Sequence, residues 1–307
     1  MHATRHLLPD ARWHFQHGPI DLVIGAEGDA PALAAAHERA WQRFEQVLPE
    51  LVAELPTLRQ PVGTHCALQG PVARRMWQAC LPFAPQQFIT PMAAVAGAVA
   101  QEIVAAYAVP GVRRAWVNNG GDIALHLQPG QRARIGLFAD LARLDLPQLR
   151  QGLQLDGQFE LPAEWPVRGV ATSGWRGRSH SLGIADSVTV LAATAAQADA
   201  AATVIANAVN VDHPGIERRP AGELRDDSDL GSIPVTVAVP PLPEALLRQA
   251  LHRGLKKAEE LRAAGLVWFA LLSCQQQVLS TEHPGALIRP ENSSAPWLKN
   301  EVGSVFA

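Results

Sequence analysis

Cysteine is scarce in this chain. Cys66, Cys80 and Cys274 are the only three in 307 residues, an odd number with no CxxC spacing. Neither a disulfide framework nor a zinc knuckle is expected, and a reducing compartment is the simpler setting. A surplus of either charge is also missing. Lys and Arg number 26 against 29 Asp and Glu, for a formal net charge of −3. A nucleic-acid-binding face needs a basic surplus, so no nucleic-acid partner is expected. No apolar run is long enough for a bilayer. The most apolar stretches, 92–104 and 264–274, fall short of the roughly 20 residues that a spanning helix needs. The start, MHATRHLLPD, lacks the apolar core of a signal peptide. A cytoplasmic location without membrane attachment is expected. Aromatics are few at 6%, yet 48% of residues are hydrophobic and 18% charged, as in a folded chain and unlike a disordered or fibrous one.

The length allows one large domain or two medium ones; a single domain over 1–281, with an irregular tail at 282–307, is expected. RWHFQ and IDLVIGA flank His17-Gly18-Pro19 as a hairpin. Leu33, Ala36, Ala40, Phe44, Val47, Leu48 and Leu51 recur at helical steps, with Asp29 as the expected cap and Pro56 as the stop. Residues 56–90 read as loops or short helices. Pro91 opens a second helix, MAAVAGAVAQEIVAAY, whose small residues suggest burial and close backbone approach. RRAWVNN, IALHL and ARIGLF read as strands, and 140–166 as loop. RGVATSG and SHSLGI are expected to pair with each other. SVTVLAA reads as a strand, TAAQADAAATVIANAVN as a helix and 212–231 as a polar excursion. SIPVTVAV is a strand, 243–265 an amphipathic helix, and LVWFALLS a buried strand with QQQVLS beside it. Hairpins and long helices without strict βαβ alternation predict an α/β fold of the α+β type, mainly antiparallel sheets packed with long helices.

Three clusters could carry chemistry. Asn118-Asn119-Gly120-Gly121-Asp122 is either a hairpin turn or a place where ligand approaches glycine backbone. Thr172-Ser173-Gly174-Trp175-Arg176-Gly177-Arg178-Ser179-His180-Ser181 could surround phosphate with hydroxyls and arginines, or be a solvated hairpin tip. Asp199 and Thr203 stand one turn apart in an alanine-rich helix. A buried carboxylate must be paired, and Asp plus a Thr hydroxyl is an oxygen donor set suited to Mg²⁺. The alternative places Asp199 in the first turn, favoured by the helix dipole, with Thr203 bonded to a backbone carbonyl. Asp186 either caps a turn or faces the same pocket. Cys66 beside His65 is a weaker candidate, since adjacency in sequence orients no base.

Asn-x-Gly-Gly-Asp-Ile at 118–123, Ala-Thr-Ser-Gly at 171–174 and a Thr-Val strand followed by Ala-Asp-Ala-x-Ala-Thr at 198–203 occur in order. Together they resemble the ApbE-like superfamily of FAD:protein FMN transferase relatives, in a shorter, poorly characterised branch. The resemblance implies a T-fold-like architecture and FAD in a cleft at Asn119, Gly120, Gly121, Asp122, Thr172, Ser173 and Gly174. It implies Mg²⁺ on Asp199 and Thr203, and catalytic roles for His180 and Asp186. A threonine of a protein acceptor would attack the FMN phosphorus, and AMP would leave. Two family elements differ here. Ala96-Gly97-Ala98 stands where the transferases carry Ala-Lys-Gly, and His180 to Asp186 lacks their Asp-Pro. The alternative is a non-catalytic protein that binds flavin, nucleotide or a small anion, or assists sulfur assimilation. The alanine-rich helices and LVWFALLS would suit a homodimer as well as a core.

Overall fold

The computed structural model describes residues 2–137, 157–177 and 179–282. Thirteen strands are described: β1 (Thr4–Leu7), β2 (Trp13–His17), β3 (Ile20–Gly28), β4 (Val112–Asn119), β5 (Asp122–Leu127), β6 (Arg132–Leu137), β7 (Gly157–Pro162), β8 (Gly169–Ser173), β9 (Ser187–Ala192), β10 (Glu217–Pro220), β11 (Pro234–Ala238), β12 (Phe269–Cys274) and β13 (Gln277–Ser280). The helices are α1 (Ala30–Ala53), α2 (Leu55–Leu58), α3 (Pro71–Cys80), α4 (Val95–Val104), α5 (Ala195–Ala208), α6 (Ala221–Leu224) and α7 (Glu244–Ala263). One nine-stranded sheet runs β1-β2-β3-β4-β5-β8-β9-β12-β13, antiparallel at every pairing. Two small antiparallel pairs, β6–β7 and β10–β11, stand apart from it.

The sheet repeats one plan. In the first half the hairpin β2–β3 leads through helices to β4, which pairs with β3 and turns into β5. In the second half β8–β9 leads through α5 and α7 to β12, which pairs with β9 and turns into β13. The halves join narrowly, where Ile123 and Ala124 face Val170 and Gly169.

Strand alternation sorts side chains into two cores. Ala124, Ala171, Val188 and Val190 pack with the helices, as do Phe44, Ile103 and Ile205. Ile123, Leu125, Val170 and Leu191 face the other way and meet Ile135 and Leu161 of the β6–β7 pair. Asp122 alternates with Ile123, so its position belongs to the helical side.

The predicted hairpin at 12–26, the helix from Ala30 and the pairing of QQQVLS with LVWFALLS all occur, and several details differ. Asp29 occupies the N-cap position without a side-chain cap bond. Pro56 starts the short α2 and does not end α1. RGVATSG does not pair with SHSLGI. Its strand β8 lies between β5 and β9, and 179–184 forms no strand. ARIGLF lies outside the main sheet, and the expected loop at 140–166 hides β7. The polar excursion carries β10 and α6 and is pinned by Arg59 on Asp227 and Thr90 on Asp229. Arg178, most of the expected 140–166 loop and the tail beyond Glu282 lie outside the described residues.

The helix expected from Pro91 is broken. A 3-10 turn (Pro91–Ala94), capped by Thr90 accepting from the Met92 amide, ends at Ala94 (φ −128, ψ 15) before α4 starts. A fresh helix N-terminus therefore opens inside the molecule, with backbone donors that no preceding turn satisfies.

Candidate functional site

The site forms around that N-terminus. Asp199, on α5, accepts a hydrogen bond at Oδ2 from the Gly97 amide at 2.9 Å, and the Ala96 amide also donates to this carboxylate. A carboxylate suits these free donors and the positive end of the α4 dipole. Asp199 stands past the first turn of its own helix, which Thr194 caps. The helix that engages it is therefore a neighbour, not its own. The approach is close because Gly97 has no side chain. A Cβ there would lie 2.3 Å from the Ala195 carbonyl oxygen and 2.9 Å from the Asp199 Cβ.

The first half supplies the other acid. The β4–β5 turn places Gly120 (φ 64) and Gly121 (φ 111) between Asn119 and Asp122, a two-residue turn with positive φ at both positions. The Asn118 side-chain oxygen accepts from the Gly121 amide at 2.9 Å and braces the turn. Asn119 donates to the Ala96 carbonyl at 3.1 Å, which ties the turn to α4. Asp122 accepts from the Thr172 amide at 3.1 Å across the junction of the halves. Residues from the first and third sequence clusters thus meet at residues 96–97.

Both carboxyls are short of compensation. Burial pushes Asp199 up from the ordinary 3.8 to about 7, against the lowering effect of the two amides. Asp122, 8% exposed, is held well above its ordinary value by burial and then by the charge of Asp199, with the Thr172 amide opposing. Among the described residues no cationic side chain is bonded to either carboxylate.

The donor set is oxygen only. Among the described residues no group of three His, Cys, Asp or Glu side chains could hold a metal ion. Two carboxylates, each with one oxygen already engaged by a backbone amide, fit a hard cation that keeps several waters, as Mg²⁺ does. Thr203 lies one turn along α5 from Asp199 and is partly exposed. Its hydroxyl has no hydrogen-bond partner among the described residues, so the expected back-bond to a carbonyl is not made.

The Thr-Ser-Gly cluster divides. Thr172 uses its amide on Asp122, while its hydroxyl meets that of Thr189 at 3.0 Å. Ser173 ends β8, paired with Val188 and half-buried. A Cβ on Gly174 would come within 2.3 Å of the Asp186 carbonyl oxygen, so glycine lets this loop lie on residue 186. Asp186 is 6% exposed and works as a clasp. It accepts from the Trp175 indole at 3.3 Å and the Gln275 amide at 2.5 Å, with Arg176 at 3.6 Å. His180 forms no hydrogen-bonded pair with it, and the buried Nε2 of His180 has no partner among the described residues. His180 and Asp186, the two residues with expected catalytic roles, are thus not bonded to each other. Cys66 packs against the edge of the main core with its thiol donating to the Leu68 carbonyl at 3.9 Å, and His65 beside it is exposed.

Sequence reasoning missed the α4 amides and the clasp at Gln275. The small residues around Gly97 signalled close packing, but nothing local marked Ala94 as a break.

The chain belongs to an ApbE-like family: a family model described as AbpE bacteria matches residues 5–281. Similar relatives are archaeal. The UPF0280 protein of Methanopyrus kandleri is 37% identical over 215 residues, covering 67% of this chain and 78% of its own. That of Methanosphaerula palustris is 34% identical over 209 residues, covering 67% and 79%. Among solved structures, apo flavinyl transferase ApbE of Pseudomonas stutzeri superposes with a TM-score of 0.40 at 12% identity, over 91% of this chain and 93% of that one. A likeness at that level bears on neither residues nor activity. Among the described residues no helix is long and apolar enough to cross a membrane.

Proposed function

We propose that this protein binds FAD together with Mg²⁺ between its two halves and transfers FMN to a hydroxyl of a protein acceptor. One observation carries the reading. Asp122 and Asp199 come from opposite halves, Asp199 on the α4 amides and the buried Asp122 close enough to feel its charge, and among the described residues no cationic side chain is bonded to either. Family membership supports the flavin as ligand. Asp199, Asp122 and Thr203 would hold the Mg²⁺, which supplies charge neutralisation on a diphosphate. The Gly120-Gly121 turn leaves backbone open to close approach by the nucleotide. His180, whose Nε2 has no partner among the described residues, would take the acceptor hydroxyl's proton. The hydroxyl oxygen then bonds to the FMN phosphorus, the bond to the bridging oxygen breaks, and AMP departs with that oxygen.

A second reading has its own support. One oxygen of Asp199 is occupied by backbone amides, and no lysine stands at the start of α4. A protein that holds flavin without turnover would show both features.

The test is incubation with FAD, Mg²⁺ and a threonine-bearing acceptor, with AMP measured by chromatography. Asp199→Asn is expected to lower AMP release by about 100-fold or more. Flavin retained without AMP across acceptors selects the second reading. Failure to bind any flavin removes both.

A further inference from the structure

The amides that hold Asp199 are free because the chain is wound differently just before them. In a continuous helix from Pro91, the Ala96 and Gly97 amides would bond the carbonyls of Met92 and Ala93, four residues back. The 3-10 turn forestalls this. Its tighter pitch gives the Met92 carbonyl to the Val95 amide, and the chain breaks at Ala94 before α4 begins. Open amides therefore recur at the start of α4, where Asp199 takes them. The turn itself is set at Thr90, which is 2% exposed and uses its hydroxyl twice. The oxygen accepts from the Met92 amide at 3.3 Å, and the proton is donated to the Asp229 carboxylate. A hydroxyl rotates to suit its partners, so a lone capping threonine leaves its lone pairs unfixed. Asp229 takes the proton in a charge-assisted bond and so turns a lone pair towards the Met92 amide. It comes from the polar excursion, 139 residues along the chain, where Arg59 on Asp227 at 2.6 Å adds a second tie. Burial, and then the charges of Asp199 and Asp229, hold the Cys80 thiol well above its ordinary range, so both carboxylates lie close to this one side chain.

We propose that Thr90 and Asp229 are positioning residues for Asp199: the polar excursion holds the turn that leaves the α4 amides free for its carboxylate. Both act through the backbone of residues 90–97. The excursion, which reads in sequence as a solvated insertion, is then a working part of the site. The bearing of this pair on Mg²⁺ and nucleotide rests on the flavin reading above, whereas its hold on the Gly97 amide does not.

Thr90→Val, Thr90→Ser, Asp229→Ala and Asp229→Asn are compared in the full chain. The first readout needs no ligand. It is the NMR resonance of the Gly97 amide, which Asp199→Asn should displace because a neutral oxygen accepts more weakly than a carboxylate. Thr90→Val and Asp229→Ala are expected to displace it in the same direction. Thr90→Ser and Asp229→Asn keep the hydroxyl and an acceptor for it, and should leave it near its wild-type position. The second readout is calorimetric binding of ADP with Mg²⁺, expected to weaken about tenfold in Thr90→Val and in Asp229→Ala. A folded Thr90→Val or Asp229→Ala with the Gly97 resonance in place overturns the proposal and leaves the bond as a stability contact, whatever the melting temperature. Asp229→Asn displacing Gly97 as far as Asp229→Ala does would assign the effect to charge and overturn it too. So would ADP affinity unchanged in both disruptive variants while Asp199→Asn lowers it. Asp229 is partly exposed, so Asp229→Ala keeps the test decisive should Thr90→Val not fold. If the wild-type protein binds neither ADP nor FAD with Mg²⁺ while Gly97 responds as expected, the positioning stands and the flavin reading falls.

Discussion

The β4–β5 and β12–β13 turns occupy matching places in the two halves and are made differently. Both are two-residue turns with positive φ at each central position. The first uses Gly120 and Gly121, which adopt this backbone readily. The second uses Gln275 (φ 44) and Gln276 (φ 69), which strain it. Tertiary bonds hold the second turn. Gln275 donates its amide to Asp186 and its side-chain NH₂ to the Pro240 carbonyl at 2.7 Å, and its Oε1 accepts from the Leu242 amide at 2.9 Å. The carboxylates differ accordingly. Asp186 is compensated and holds structure. Asp122 and Asp199 have only backbone amides on them, and the charge of Asp199 bears on Asp122. The half whose turn is built on glycine is the half whose turn acid is not drawn into holding the turn.

Gly97→Ala should have the largest effect. Its Cβ would overlap the Ala195 carbonyl and crowd Asp199, so α4 and α5 must separate. We expect a loss of about 3 kcal/mol in urea unfolding, together with Mg²⁺-dependent nucleotide binding. A variant of normal stability would show that the two helices yield easily and that the close approach does not position Asp199.

The two kinds of carboxylate should respond oppositely to removal. Asp186→Ala leaves the Gln275 amide unpaired and releases Trp175 and Arg176. It should cost about 2 kcal/mol. Asp122→Asn keeps an acceptor for the Thr172 amide and removes a poorly compensated charge, so at pH 8 it should be neutral or stabilising in the metal-free protein. Equal destabilisation by both variants would erase the contrast between the halves.

The pH dependence follows from the same contrast. Folded Asp199 keeps its proton up to about 7, while the unfolded chain releases it near 3.8. The folded state therefore binds more protons between these values, and stability falls as pH rises through that window. Asp122 acts in the same direction. Thermal melting of metal-free protein from pH 4.5 to 7.5 should show this decline. Asp199→Asn should flatten it, and Mg²⁺ should offset it at the upper end. A slope unchanged in the variant would assign the effect to other groups.

The smallest effect is expected at the second turn. Gln276 is exposed, so Gln276→Gly should relieve strain and add about 1 kcal/mol, whereas Gly120→Ala should lose a similar amount. Calorimetric melting of the two variants would compare the turns directly.

Much of the architecture was legible because its signals are local. The 3.6-residue recurrence from Ala36 to Leu51, the Asn-Gly-Gly-Asp turn and the β-branched run at 187–192 each specify an element from neighbouring residues. Strand partnership was less legible. RGVATSG has a plausible partner immediately after it, but β8 pairs instead with β5 and β9. The helix after Pro91 reads as continuous, since Ala94 is a good helix former, and its break is imposed by packing and by the cap at Thr90.

Residue order alone established the hairpins, the long helices and the presence of Asp122, Thr172 and Asp199 in recognisable clusters, because side-chain period and turn chemistry act over a few residues. Folding alone decided that Asp199 would bind the amides of another helix and that Asp186 would become a clasp. Those outcomes depend on desolvation and on contacts between segments as much as 102 residues apart, such as Gly97 and Asp199, and no local pattern encodes either.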